Sequence, residues 1–190
     1  MRTFIAIEIP EEVRAALHDF QERLRKRGMH ASWVKPEVMH LTLRFLGDIA
    51  EAQVDTLASF LKDSYDGLVS PILLTRGIGA FPTIRKPSVV WAGIETLAGE
   101  LDSIQRIAET GACRIGLPPE MKPFHAHVTL ARMRKRDTAQ LVSQLMTPYL
   151  GEGMTPEFGH EFRAANVVLF SSTLTPKGPI HRKVQEFSLL

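Results

Sequence analysis

The chain is short of several features, and each shortage removes a class of protein. It has one cysteine in 190 residues, Cys113. A single thiol forms no internal disulfide, which fits a reducing compartment rather than a stapled secreted scaffold. Formal charge is nearly balanced at +2, so the molecule as a whole is not a strongly basic nucleic-acid binder. Any attraction for phosphate has to be local. No stretch approaches the roughly 18 apolar residues of a membrane span. The opening MRTFIAIEIP has too short an apolar run for a signal peptide, and Glu8 interrupts it. There is no low-complexity segment and no period of about 20–50 residues that would mark a solenoid. Nor is there an acidic or cysteine cluster of metal-binding spacing. With 44% hydrophobic and 23% charged residues, disorder is excluded as well. These readings predict a soluble, cytoplasmic protein without a metal or other cofactor, with residues 1–190 forming one domain, and a monomer is the expected form.

What is present is a mixture of strand-like and helical segments. Residues 3–9, TFIAIEI, read as a strand. Pro10 then opens a helix over EEVRAALHDFQERLRKR, with acids in the first turn, bases in the last, and Gly28 as its stop. SWVK is a short strand. HLTLRFL alternates with period two and ends at Gly47-Asp48. EAQVDTLASFLKDSY is an amphipathic helix. PILLTRGIGAF and SVVWAGIE are two strands joined by PTIRKP, and LAGELDSIQRIAETGA is helical. FHAHVTLARM is a second alternating strand. The turn RKRD leads into a helix, TAQLVSQLMTPYL, and HEFRAANVVLFSSTL and IHRKVQEFSLL are two closing strands. Helices and strands mix without a regular βαβ rhythm, so the expected class is α+β with antiparallel sheets. The two halves have similar content, which predicts a pseudo-symmetric pair of lobes.

Each half contains His-x-Thr-Leu inside an alternating run: His40-Leu41-Thr42-Leu43 and His127-Val128-Thr129-Leu130. On a strand, residues i and i+2 share a face. His40 and Thr42 therefore point one way, as do His127 and Thr129. One such motif alone is ordinarily a half-exposed histidine and a β-favouring threonine. Two copies in matched strands, facing each other, bring two imidazoles and two hydroxyls together. Near neutrality one imidazole can be neutral and the other protonated, since the unperturbed pKa is about 6.5. Such a pair can take a proton from a nucleophile and give one to a leaving oxygen. The threonine hydroxyls can donate to phosphoryl oxygens. Phosphoester chemistry follows without a metal.

The paired motifs resemble those of the RNA 2′,3′-cyclic phosphodiesterases, also called 2′-5′ RNA ligases, of the two-histidine phosphoesterase superfamily. FIAIEIP, WVKPEVMHLTLRFLGD, FPTIRKPSVVWAGI, PFHAHVTLAR and LTPKGPIH occur in family order, so the resemblance covers nearly the whole chain. It implies an α+β, bilobal fold: two pseudo-symmetric antiparallel sheets with outer helices, facing across a central cleft. It also implies hydrolysis of RNA 2′,3′-cyclic phosphate ends to a 2′-phosphomonoester, with 2′-5′ ligation as the reverse reaction. By the resemblance, His40 is the proton donor, His127 the proton acceptor, Thr42 and Thr129 hold the phosphate, and Arg132 pairs with it. The chain departs from the pattern at Ala126, where proline is frequent. It departs again at His181, where a tyrosine is usual, which leaves that residue's substrate contact open.

Other residues have two readings each. Arg44 has the parity of His40 and Thr42 and either extends a positive cleft or lies exposed at a strand end. Arg132 is five positions after His127, so strict alternation sends it to the opposite face, and only a bulge or strand end can bring it back. Arg134, Lys135 and Arg136 form a solvated turn or flank an RNA strand, and Arg85 and Lys86 invite the same pair of readings. His125 and His127 share a face as a metal pair would, without a matching third ligand. Trp33 and Trp91 can stack on bases, but their apolar strands place them in the core. Cys113 is read as a small core residue, and His18 and His30 as surface residues. The same site also suits an enzyme for a small cyclic nucleotide phosphate, or a module that binds RNA ends without turnover.

Overall fold

The computed structural model describes residues 1–133, 139–147, 159–176 and 178–190, so the basic run Arg134, Lys135 and Arg136 lies outside the described residues. Strands β1 (Arg2–Glu8), β2 (Ala31–Trp33), β3 (His40–Asp48), β4 (Ile72–Thr83), β5 (Lys86–Ala98), β6 (His127–Met133), β7 (Glu161–Arg163), β8 (Asn166–Thr175) and β9 (Gly178–Ser188) join in one curled sheet. Helices α1 (Glu11–Lys26), α2 (Glu51–Tyr65), α3 (Leu101–Arg114) and α4 (Ala139–Met146) accompany it.

The sheet order is β7-β4-β5-β6-β3-β1-β8-β9, with β2 added on β6, and every described pairing is antiparallel. Between β6 and β3 the register holds for a single pair, Leu41 opposite Val128. The sheet is therefore two leaves joined at a narrow seam: β7-β4-β5-β6 on one side, β3-β1-β8-β9 on the other. These are the two expected sheets, run together at their inner edges.

The leaves are not the two halves of the chain. The first leaf to form in sequence, β3-β1, is completed by the C-terminal hairpin β8-β9. Helices α2 and α3 pack on each other behind that leaf, against β9 and β3, while α4 packs on β5. α1 reaches behind β6, where its buried Gln21 meets the Leu130 carbonyl. Its buried positions Val13, Leu17, Phe20, Gln21 and Leu24 recur at helical spacing, which makes one stripe for the core.

β1 is buried on both faces, which explains its unbroken apolar run. Ile5 and Ile7 join the main core under the helices. Phe4 and Ala6 form a second cluster with Val168 and Phe170 on the opposite, helix-free face. That second face carries the site.

Three expectations need correction. The segment read as one strand, HEFRAANVVLFSSTL, breaks at Ala164 and Ala165 into β7 and β8, which belong to different leaves. Ala164 is fully buried and its N–H goes to Pro71, so the chain crosses between leaves there. Cys113 is exposed on α3, because Gly111 and Ala112 take the inward positions. Trp33 is half-buried at the edge of the core, with the Arg25 guanidinium 5.5 Å from its ring centre.

Candidate active site

Two β-bulges decide which side chains face the cleft. Along β3, Ala6 pairs with Thr42 but Ile5 pairs with Arg44, so Leu43 is an extra residue. Along β6, Trp91 pairs with Thr129 but Val90 pairs with Ala131, so Leu130 is extra. Both bulges fall on the leucine of His-x-Thr-Leu. Before the bulge, His40 and Thr42 share the face of Ala6, and His127 and Thr129 share the face of Trp91. After it, the alternation inverts.

The inversion has opposite results for the two arginines. Arg44 is turned to the helix side, contrary to its parity in the sequence. Its Nε lies 2.8 Å from Glu109, its Nη1 3.4 Å from Glu120, and its Nη2 donates to the Pro118 carbonyl at 2.6 Å. Its side chain is only 10% exposed, so Arg44 fastens α3 and the segment after it to β3. Arg132 is turned toward the cleft, opposite Val89, and stays exposed. The bulge that the phosphate role of Arg132 requires is present.

Gln21 braces this bulge from behind. It is 1% exposed, and its Nε2 donates to Val34 at 2.9 Å and to Leu130 at 2.8 Å. Gln21→Leu strands the Val34 carbonyl in the core and is expected to cost about 1–3 kcal/mol. Urea unfolding checks this, with a lowered midpoint and an unchanged m-value expected; an unshifted midpoint contradicts it.

The seam brings the two motifs together. With Leu41 opposite Val128 in an antiparallel pair, one further step either way sets His40 beside Thr129 and Thr42 beside His127. The histidines occupy diagonal corners of this patch, related by a pseudo-twofold axis through the Leu41–Val128 pair.

The imidazoles are held alike. His40 Nδ1 lies 2.8 Å from the carbonyl of Val38, and His127 Nδ1 lies 2.6 Å from the carbonyl of His125. A carbonyl only accepts, so Nδ1 carries the hydrogen in both rings. Nε2 is then free for the cleft in each. Burial lowers the pKa of His40 to about 4, helped by the charges of His181, His127 and Arg132 and opposed by the Val38 bond. Burial also lowers that of His127, with His125 and Arg132 adding to the effect and the His125 carbonyl opposing it. Arg132 is thus electrostatically coupled to both imidazoles.

Comparison with known proteins agrees with this arrangement. The family model described as LigT-like phosphoesterase matches residues 7–91 and 94–181, one His-x-Thr in each stretch. The chain belongs to the LigT-like phosphoesterases. It is 33% identical over 178 residues to the RNA 2′,3′-cyclic phosphodiesterase of Aquifex aeolicus, covering 92% of each chain. It is 35% identical to the protein of that name from Thermus thermophilus, covering all of this chain and 90% of the other. A crystal structure of a Thermus thermophilus protein, TT0787, superposes with a TM-score of 0.80 at 30% identity, over 100% of this chain and 98% of that one.

In this LigT-like phosphoesterase the histidines are lined by aromatic rings that sequence reasoning left in the core or did not single out. Phe4 stacks on His40 at 4.7 Å between centres and leans on Phe170 at 5.1 Å. His181 lies edge-on to both, 4.9 Å from Phe4 and 5.2 Å from His40. Burial lowers the pKa of His181 as well. On the other leaf, Phe81 is 5.1 Å and Trp91 6.0 Å from His127. Trp91 is half-buried on the cleft face, and its indole lies over Gly79, where an added Cβ would come within 2.1 Å of the ring. That glycine, two strands away from the motif, was the available signal for Trp91.

His125 is exposed, with its ring 6.2 Å from that of His127. Among the described residues no three His, Cys, Asp or Glu side chains gather as a metal would require. Arg85 and Lys86 are exposed at the β4–β5 turn, away from the seam. His30 is exposed, and half-buried His18 lies 3.2 Å from the Gln21 Oε1. Among the described residues no helix is long and apolar enough to cross a membrane.

Proposed function

We propose that the chain hydrolyses the 2′,3′-cyclic phosphate at RNA ends to a 2′-phosphomonoester, with paired histidines as acid and base and no divalent metal. The observation that carries this reading is the matched pair of imidazoles, each pinned through Nδ1 to the carbonyl two residues earlier. Water attacks phosphorus and loses its proton to Nε2 of His127. The P–O3′ bond breaks, and the 3′ oxygen takes the proton from Nε2 of His40. Thr42, Thr129 and Arg132 hold the non-bridging oxygens, whose charge grows as the bonds rearrange. A 5′-hydroxyl in place of water gives a 2′-5′ linkage by the same proton transfers. The relatives named RNA 2′,3′-cyclic phosphodiesterase supply the choice of substrate. A turnover assay comparing a cyclic-phosphate-ended oligonucleotide with a mononucleotide 2′,3′-cyclic phosphate tests it. Preference for the oligonucleotide is expected. Binding without turnover makes the chain an RNA-end binder, and preference for the mononucleotide makes it an enzyme of small cyclic phosphates.

Activity is expected to survive EDTA. Loss in EDTA with recovery on adding Zn²⁺ or Mn²⁺ contradicts the mechanism and turns attention to His125.

The pH dependence follows from the direction of the two shifts. The reactive form carries one proton on the pair, so it is populated between the pair's two macroscopic pKa values. In the free protein both histidines fall below 6.5, His40 to about 4. A bell-shaped kcat/KM with its maximum below pH 6.5 is therefore expected. A bound phosphate anion raises both values, so the maximum of kcat lies at higher pH. A kcat/KM maximum above pH 7.5, with chemistry rate-limiting, contradicts this.

A further inference from the structure

A cavity of about 420 Å³ opens next to the histidine pair, lined by Trp91, Phe124 and His125. It is bare of side chains at Gly93, where an added Cβ would come within 2.4 Å of the Arg76 carbonyl oxygen. Gly93 sits opposite His127 in the β5–β6 register, so the cavity borders the reacting imidazole directly. The His125 and Trp91 ring centres are 4.5 Å apart. At the rim, Arg76 Nη1 and Glu95 Oε2 lie 2.8 Å from each other, which sets a hydrogen-bond donor beside an acceptor.

These features select one chemistry. Ring faces favour a flat π-system. A rim of adjacent donor and acceptor suits a heterocycle with both functions on one edge. A second phosphate is disfavoured by the Glu95 carboxylate, and a purely apolar guest leaves the ion pair unused. We propose that this cavity is a nucleobase subsite. The proposal rests on the reading that the cyclic phosphate lies between His40 and His127. The base comes either from the nucleoside carrying that phosphate or from a second nucleoside seated on the His127 side.

Steady-state kinetics with guanosine 2′,3′-cyclic phosphate and with 1-O-methylribose 2′,3′-cyclic phosphate distinguish these sources. If the base belongs to the substrate nucleoside, its loss raises KM at least tenfold with kcat nearly kept. The ratio of the two KM values then falls toward one in Arg76→Ala and Glu95→Ala, a readout that general structural damage does not move. If it belongs to a second nucleoside, the KM ratio is near one. Free guanosine then changes turnover of the abasic substrate saturably, and Glu95→Ala weakens that effect. A KM ratio near one together with no effect of guanosine overturns the subsite. The reaction itself can fail separately. If neither phosphate is turned over, guanosine is titrated against the fluorescence of Trp33→Phe, which leaves Trp91 as the reporter. Saturable quenching by guanosine and not by ribose then upholds the subsite while the reaction reading falls, and no quenching overturns both.

Discussion

Arg132→Ala is expected to slow kcat/KM on a cyclic phosphate by about 10²–10³-fold, the usual loss for one donor aimed at developing charge. It is also expected to move the pH profile upward. The guanidinium holds down the proton affinity of both His40 and His127. Without it, both imidazoles protonate more readily, so both limbs of the kcat/KM profile shift to higher pH. Arg132→Lys separates the two effects. It keeps the charge, so the limbs stay in place, but it loses the paired N–H geometry and part of the rate. Arg44→Ala is the matched control, because the equivalent bulge sends Arg44 to Glu109 and the Pro118 carbonyl instead. That variant is expected to lower the melting temperature while the folded fraction keeps kcat/KM within a few-fold. An Arg132→Ala rate within threefold of the parent, or an Arg44→Ala loss as large as that of Arg132→Ala, contradicts this assignment.

The contrast between these arginines shows what a single sequence can carry. Elements with local signals were legible. The boundaries of α2 were read correctly, and those of α1 to within a residue, because acids, bases and an apolar stripe mark a helix within its own span. The four motif residues were legible too, since period two is local to a strand. The bulges were not. A leucine suits either face, and an extra residue is defined only by the partner strand, which for Leu130 is β5. Hence Arg44 was placed on the wrong face, and Arg132 had to be kept on resemblance. The exchange of strands between leaves was hidden for the same reason: β1 pairs with β8 at the far end of the chain, and no local pattern announces that partner. Trp91 was left in the core because its neighbours are apolar, and only the glycine beneath its ring, on another strand, frees it for the cleft.

Either histidine changed to alanine is expected to slow the natural substrate by at least about 10²-fold, the lower end of what one proton transfer contributes. At about 1.4 kcal/mol per tenfold, that is roughly 3 kcal/mol of barrier. The two losses differ in kind. Without His40 the departing 3′ alkoxide is uncompensated; without His127 the attacking water is weak whatever departs. The low proton affinity of buried His40 suits the acid role: a phosphate anion beside it promotes protonation, and the resulting imidazolium gives its proton up readily. Substituting sulfur for the 3′ bridging oxygen tests the division, since a thiolate leaves without a proton. His40→Ala is expected to recover much of its lost rate on that substrate, and His127→Ala is not. Recovery by His127→Ala alone reverses the assignment. Recovery by neither, with folding and binding intact, makes His40 a holder of phosphoryl charge and not the acid. The same variants read by pH give an independent check. Loss of the acid removes the high-pH limb of kcat/KM, because no proton has to be retained on the pair. Loss of the base removes the low-pH limb, because no site has to be kept empty. If both variants lose the same limb, the two histidines do not divide the proton transfers between them.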